Sequence, residues 1–170
     1  GWAPNLASSG ELPVKQRVYI ETTIVSYLVS RPSSDVRVAA NQVTTLDWWE
    51  QRRESFDLFT SEFVLAEASL GESSIAARRM GILSDLPELE ITDEVRVLGD
   101  ALLNEGPIPP NAEIDAYHIA TAAVNGMDYL LTWNCTHIAN AAMRSDIESV
   151  CRNQGYEPPT ICTPQELMEV

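Results

Sequence analysis

Short apolar runs rich in strand formers alternate with helical patterns along nearly the whole chain, and this restricts the fold more than any other feature. Val18-Tyr19-Ile20 is the first such run, and Thr22 or Thr23 is placed to cap a helix reaching Leu28. Arg31-Pro32-Ser33-Ser34 breaks the chain. Asp35 is a good N-cap for a long helix to about Arg53, in which Val36, Ala39, Ala40, Val43, Leu46 and Trp49 recur at helical spacing. Phe56 to Phe59 reads as a second strand, and Ser61 caps a helix carrying Phe63, Glu67 and Leu70. Gly71 ends that helix, and another runs from about Ser74 to Leu83. Leu89-Glu90-Ile91 reads as a third strand, with Thr92 capping the next helix. After the rigid Gly106-Pro107-Ile108-Pro109-Pro110 loop, Asn111 is expected to cap a helix that Asn125-Gly126 stops. Tyr129 to Thr132 reads as a fourth strand, 136–153 as helix, and Thr160-Ile161-Cys162 as an edge strand before a last turn at Pro164. Such alternation predicts an α/β fold, a mainly parallel sheet of four to five strands with helices on both faces. Ligand crevices in these sheets open outside the carboxyl ends of the strands.

A chain of 170 residues holds one domain of this kind, expected over 17–170. Residues 1–16 carry no apolar signal-like core and are expected to form an extension or tethered arm. No stretch approaches the ~20 apolar residues that span a bilayer, so no membrane partner is expected. Cys135, Cys151 and Cys162 make no CxxC pair, and with only two histidines they do not build a structural zinc site. Free thiols in a cytoplasmic protein are the simplest reading.

Four polar residues interrupt this apolar framework. Glu21 closes the first strand, Asn134 ends the segment Tyr129 to Asn134, and both therefore fall at strand carboxyl ends. Glu67 lies four residues after Phe63 and three before Leu70, on the helix face expected to be buried. Asp115 precedes Ile119 by four residues and Ala122 by seven. An unpaired carboxylate facing a core costs several kcal/mol unless a cation or donor groups answer it. The segments around Glu67 and Asp115 contain no Lys or Arg. A hard-oxygen site for a divalent cation is the economical reading; a structural salt bridge to a distant Arg is the alternative.

His118 follows Asp115 by about one turn and reads as a hydrogen-bonded helix histidine before it reads as a general base or RNA contact. His137 is in the same position relative to Asn134. Trp48 and Trp49 read as packing residues rather than base-stacking platforms. Lys plus Arg number 11 against 25 Asp plus Glu, a net charge of −14. Such a surface repels nucleic acid at long range. It therefore points to local basic contacts, a cation bridging protein to phosphate, or a basic partner protein. Arg52-Arg53, Arg78-Arg79, Arg31 and Arg37 are the best candidates for an RNA or partner patch.

The segments Val18 to Thr22, Ser61 to Glu67, Asp115 to Ala122 and Tyr129 to Asn134 together resemble the PIN-domain family, closest in flavour to the VapC-like branch of toxin–antitoxin ribonucleases. The resemblance covers roughly Arg17 to Cys162. It implies a PIN-like α/β/α sandwich in which Glu21, Glu67, Asp115 and Asn134 hold Mg2+ or Mn2+ and act on RNA phosphodiester bonds. Thr22 matches the hydroxyl residue that follows the first acid, and His118 and His137 stand as supporting residues. It also implies products with a 3′-hydroxyl and a 5′-phosphate, an antitoxin partner, and a homodimer. Two positions depart from the family pattern: Glu21 stands where Asp is usual, and Asn134 replaces a usual fourth-strand acid with a neutral amide. The main expectation is a metal-dependent endoribonuclease, the toxin of a type II toxin–antitoxin pair. A PIN-like domain impaired in catalysis, binding protein or RNA, is the competing one. A phosphatase-type hydrolase lacks its DxDxT motif after strand one, and a lipase-like serine enzyme lacks GxSxG.

Overall fold

The computed structural model describes residues 14–170. The arm expected over 1–16 lies outside the described residues except at its end, where Gln16 already belongs to the first strand. Four strands, β1 (Gln16–Ile20), β2 (Phe56–Phe59), β3 (Tyr129–Leu131) and β4 (Thr160–Cys162), form one sheet in the order β2-β1-β3-β4. All three pairings are parallel, with Val18 opposite both Leu58 and Tyr129, and Leu130 opposite Ile161. The α/β fold and the parallel sheet expected from the alternation are therefore present.

Between the strands lie α1 (Thr22–Val29), α2 (Val36–Arg52), α3 (Glu62–Ala68), α4 (Ser73–Leu83), α5 (Asp93–Asn104), α6 (Glu113–Val124) and α7 (Ala141–Asn153), and α8 (Pro164–Leu167) follows β4. The central strand β1 shows why the sheet is covered on both faces: Val18, Tyr19 and Ile20 are all fully buried, although successive side chains point to opposite sides. Trp48 is also fully buried, stacked on Phe56, as a packing residue should be. Among the described residues, no helix is long and apolar enough to cross a membrane.

Several boundaries differ from expectation. Leu89 to Ile91 is not a strand: Thr60 forms one parallel bridge to Glu88, with Leu89 N donating to Thr60 O at 2.7 Å, and pairing stops there. Pro87, which has no N–H to donate, precedes that bridge, and Thr92 turns the chain into α5 soon after it. Tyr129–Leu131 is accordingly the third strand and not the fourth. Asn111 does not cap α6; a 3-10 turn over Pro110–Ala112 leads into it, with Ala112 at the cap position. The last long helix starts at Ala141 rather than 136, capped by Asn140. On α2, Val36, Val43 and Leu46 are exposed, and Thr45 and Trp48 take the buried face. The spacing found the helix and misjudged its orientation by about one residue position.

The chain leaves β1 to one side to form β2 and crosses back to the other side to form β3. The adjacent carboxyl ends of β1 and β3 are thus the switch point of the sheet, where a crevice opens between diverging connections. α6 starts at this point and stops at the opposite end of the sheet, at Asn125-Gly126, where Gly126 takes φ +69° and Arg17, near the start of β1, donates to Asn125 O at 2.9 Å. α5 approaches α6 closely because Gly99 has no side chain: a Cβ there would fall 2.3 Å from Cδ1 and Cε1 of Tyr117.

Candidate metal centre at the switch point

Glu21 sits between β1 and α1 and is itself the N-cap of α1, with φ −82° and ψ 160°. The sequence suggested Thr22 or Thr23 for that role. Instead Oε2 of Glu21 accepts from Thr23 N at 3.0 Å, Thr23 Oγ1 at 2.5 Å and, across the sheet, Thr132 Oγ1 at 2.8 Å. Glu21 is only 3% exposed. Burial raises its carboxyl above the ordinary range, against the pull of nearby His118 and of the Thr23 and Thr132 hydroxyls.

Glu67 projects from the last turn of α3 toward the same point, half-buried. Leu70, expected beside it on a buried face, is 68% exposed, because α3 ends at Ala68 and the chain turns away. Oε1 of Glu67 accepts from Thr22 Oγ1 at 2.7 Å and lies 2.5 Å from Nε2 of His118. Desolvation pushes this carboxyl up, but the bond and charge of His118 together with the Thr22 hydroxyl outweigh it and leave the pKa lowered. The two acids are therefore shifted in opposite directions.

Asp115 lies in the first turn of α6 and is almost completely buried. Burial raises its carboxyl, opposed by His118, Asn134 and His137. Its Oδ1 accepts from Asn134 Nδ2 at 3.1 Å, and Nδ1 of His137 stands 3.3 Å from Oδ2. Asn134 is positioned by the end of β3: its N–H donates to Thr132 Oγ1 at 2.9 Å, and its Oδ1 accepts from the N–H groups of Thr136 and His137 at 3.3 and 3.2 Å. The sequence treated Asn134 as an oxygen ligand. In this arrangement its nitrogen faces the acid and its oxygen serves the following turn.

Glu21, Glu67 and His118 each offer a ligand atom, and these atoms lie within 4.8 Å of one another. Asp115 stands beside this group, close enough for Glu67 and His118 to act on its charge. The fold thus brings together Glu21, Thr22, Glu67, His118, Asp115, Asn134 and His137. Thr132, Thr23, Tyr19 and Ser61 also belong here and were not anticipated. Thr132 and Thr23 carried a readable signal, as hydroxyl residues flanking the strand ends that bear Asn134 and Glu21. Tyr19 was hidden inside an apolar run.

The arginines fall elsewhere. Arg52 and Arg53 immediately precede β2, at the opposite end of the sheet from Glu21; Arg52 lies over Phe56 and Arg53 over Trp49. Arg31 and Arg37 are exposed around the α1–α2 connection. Among the described residues, no Lys or Arg forms an ion pair with Glu21, Glu67 or Asp115. Buried and half-buried carboxylates at a crevice with no Lys or Arg to answer them are the donor set that a divalent cation fits. Three carboxylates suit Mg2+ or Mn2+. No family model matches the chain, and no curated protein matches it.

Proposed function

We propose that this protein is a Mg2+- or Mn2+-dependent endoribonuclease of the PIN type, acting as the toxin of a type II toxin–antitoxin pair. The observation that carries the reading is Glu21: a carboxylate 3% exposed, at the switch point of a parallel sheet, beside two further acids and with no Lys or Arg partner. The resemblance to PIN domains at Glu21, Glu67, Asp115 and Asn134 supplies the substrate class.

Glu21, Glu67 and Asp115 would hold the ion, which when bound polarises a phosphodiester and lowers the pKa of an attacking water. Glu21 is placed by two hydroxyls and a backbone N–H before substrate arrives, so little rearrangement is needed on binding. Asp115 and Glu67 approach from separate helices, α6 and α3, and either can accept a proton from water within the crevice. Because the net charge is −14, RNA binding depends on the cation and on local contacts. The same surface favours a basic antitoxin, and the free thiols of Cys135, Cys151 and Cys162 fit a cytoplasmic setting.

A second reading is favoured by one observation. Asn134 presents an amide N–H to Asp115 and so fixes that acid without adding charge; a domain impaired in catalysis, binding RNA or protein, would have such a site. Incubation of single-stranded RNA with the protein and Mn2+ separates the two. Cleavage that EDTA stops, and that Glu21→Gln and Asp115→Asn each abolish in folded protein, supports the nuclease. Absence of cleavage by the parent chain hands the site to the binding-module reading.

A further inference from the structure

Three side chains behind Glu67 are fully buried and linked in series. Ser61 Oγ lies 2.7 Å from Tyr19 OH, Tyr19 OH lies 2.6 Å from Nδ1 of His118, and Nε2 of His118 lies 2.5 Å from Glu67 Oε1. With the His118 ring neutral, the direction of the chain is set by its last member. An ionised carboxylate only accepts, so Nε2 must carry the ring proton that faces it. In the neutral ring Nδ1 is then an acceptor, the Tyr19 hydroxyl must donate to it, and the Tyr19 oxygen is left to accept from Ser61. Ser61 is free to do so because, although it stands at the cap position of α3, its side chain caps nothing. Thr22 donates to the same Oε1 from the other side. Both donors thus converge on one oxygen of Glu67.

We propose that Ser61, Tyr19 and His118 form a one-way donor chain that holds Glu67 with Oε2 presented to the cation, which makes His118 a positioning residue and not a ligand of the ion. This rests on the metal-site reading above. The chain joins β1, the start of α3 and the middle of α6, the three elements whose relative placement decides whether Glu21, Glu67 and Asp115 meet. It therefore ties acid geometry to the packing of the core.

The test is Mn2+ titration of the full-length protein by calorimetry, with circular dichroism to check folding. His118→Leu removes the donor and should weaken Mn2+ binding by about 10- to 100-fold, the usual effect of losing an outer-shell partner. His118→Gln can return an N–H to the Nε2 position and should recover most of that loss. Tyr19→Phe keeps the core shape, removes one hydroxyl, and should weaken binding by several-fold; it and His118→Gln decide the matter if the leucine variant does not fold. Wild-type affinity in folded His118→Leu, or in folded Tyr19→Phe, overturns the proposal. So does a glutamine variant as weak as leucine. An imidazole nitrogen coupling in the spin-echo spectrum of the Mn2+ complex that disappears in His118→Gln would put His118 on the ion and overturn it too. If the parent chain binds no Mn2+ at all, the metal-site reading falls with it, which separates the two failures.

Discussion

The side-chain amide of Asn134 donates to Asp115, Nδ2 to Oδ1 at 3.1 Å, while its own oxygen is held by the backbone N–H groups of Thr136 and His137. The neutral residue at the end of β3 therefore relieves Asp115 instead of crowding it. Replacing it with a carboxylate sets two like charges about as far apart as hydrogen-bonded atoms, in a partly buried place. Asn134→Asp should lower the melting temperature of the metal-free protein and raise its affinity for Mn2+. Thermal unfolding with EDTA and with excess Mn2+ checks both: the metal-induced rise in melting temperature should be larger in the variant than in the parent. An equal rise would mean that position 134 does not face the ion.

Glu21 is the most deeply buried of the three acids, and its burial is answered by the pull of His118 and by hydroxyls, not by a Lys or Arg. Glu21→Gln removes the charge and keeps an oxygen for the three donors that converge on Oε2. The expected outcome is a metal-free protein whose melting temperature rises by about 2–4 °C per kcal/mol recovered and which no longer responds to Mn2+. Residues kept for function at a cost in stability behave this way. A fall in melting temperature without metal would show that the carboxylate helps the fold.

Thr132 is fully buried and works in both directions, donating to Glu21 and accepting the N–H of Asn134. Thr132→Val is nearly the same size and strips both bonds, leaving a buried N–H without a partner. It should destabilise by about 1–3 kcal/mol and weaken Mn2+ binding, while Thr132→Ser should restore most of each. Denaturant midpoints and calorimetry give the two readouts, and a valine variant indistinguishable from the parent in both would remove Thr132 from the site.

α6 carries Asp115 and His118, and its distance from α5 is fixed at Gly99. Tyr117 cannot easily make room for a Cβ there, since its ring stacks on Phe63 at 5.6 Å and its hydroxyl donates to Asp100 at 2.6 Å. Gly99→Ala should therefore cost about 1–3 kcal/mol by overpacking, although alanine is the better helix former. It should also weaken Mn2+ binding, because α6 moves with its acids. Stabilisation by this substitution would mean that the ring swings away freely.

How far the site could be read in advance depends on what kind of force placed each residue. Glu21, Glu67 and Asp115 were legible because a carboxylate embedded in an apolar pattern contradicts its surroundings, and only a few chemistries resolve that contradiction. The strand–helix order was legible for the same local reason, periodicity. What periodicity leaves out is what happens across the sheet. That Glu21 and not Thr22 or Thr23 caps α1 depends on Thr132, 111 residues away. The inward orientation of Tyr19 depends on Ser61 and His118 meeting it, and the buried face of α2 depends on the stack of Trp48 on Phe56. The strand expected at Leu89 to Ile91 failed on partner geometry rather than on composition, as the one bridge, Thr60 to Glu88, falls just before its apolar residues.

The opposed shifts of the acids give a pH dependence with a definite sign. Glu21 and Asp115 have carboxyls raised by burial, so in the folded chain they take up protons at higher pH than in the unfolded one. Their contribution to metal-free stability is present below the unfolded values and is lost as pH rises through the folded ones. Glu67 is lowered, so its contribution is present above the unfolded value and is lost as pH falls through the folded one. Mn2+ needs all three deprotonated, and the raised pair governs. Affinity and RNA cleavage should begin to fall at a pH above the ordinary carboxylate range near 4, while Glu67 is still ionised. Asp115→Asn should leave a metal-free stability profile that declines less between about pH 4 and 7, because one raised acid is gone. Calorimetric Mn2+ titrations across that range, with parallel unfolding curves in EDTA, measure both. Affinity that holds constant until the ordinary carboxylate range is reached would mean that neither Glu21 nor Asp115 must give up a proton to receive the ion.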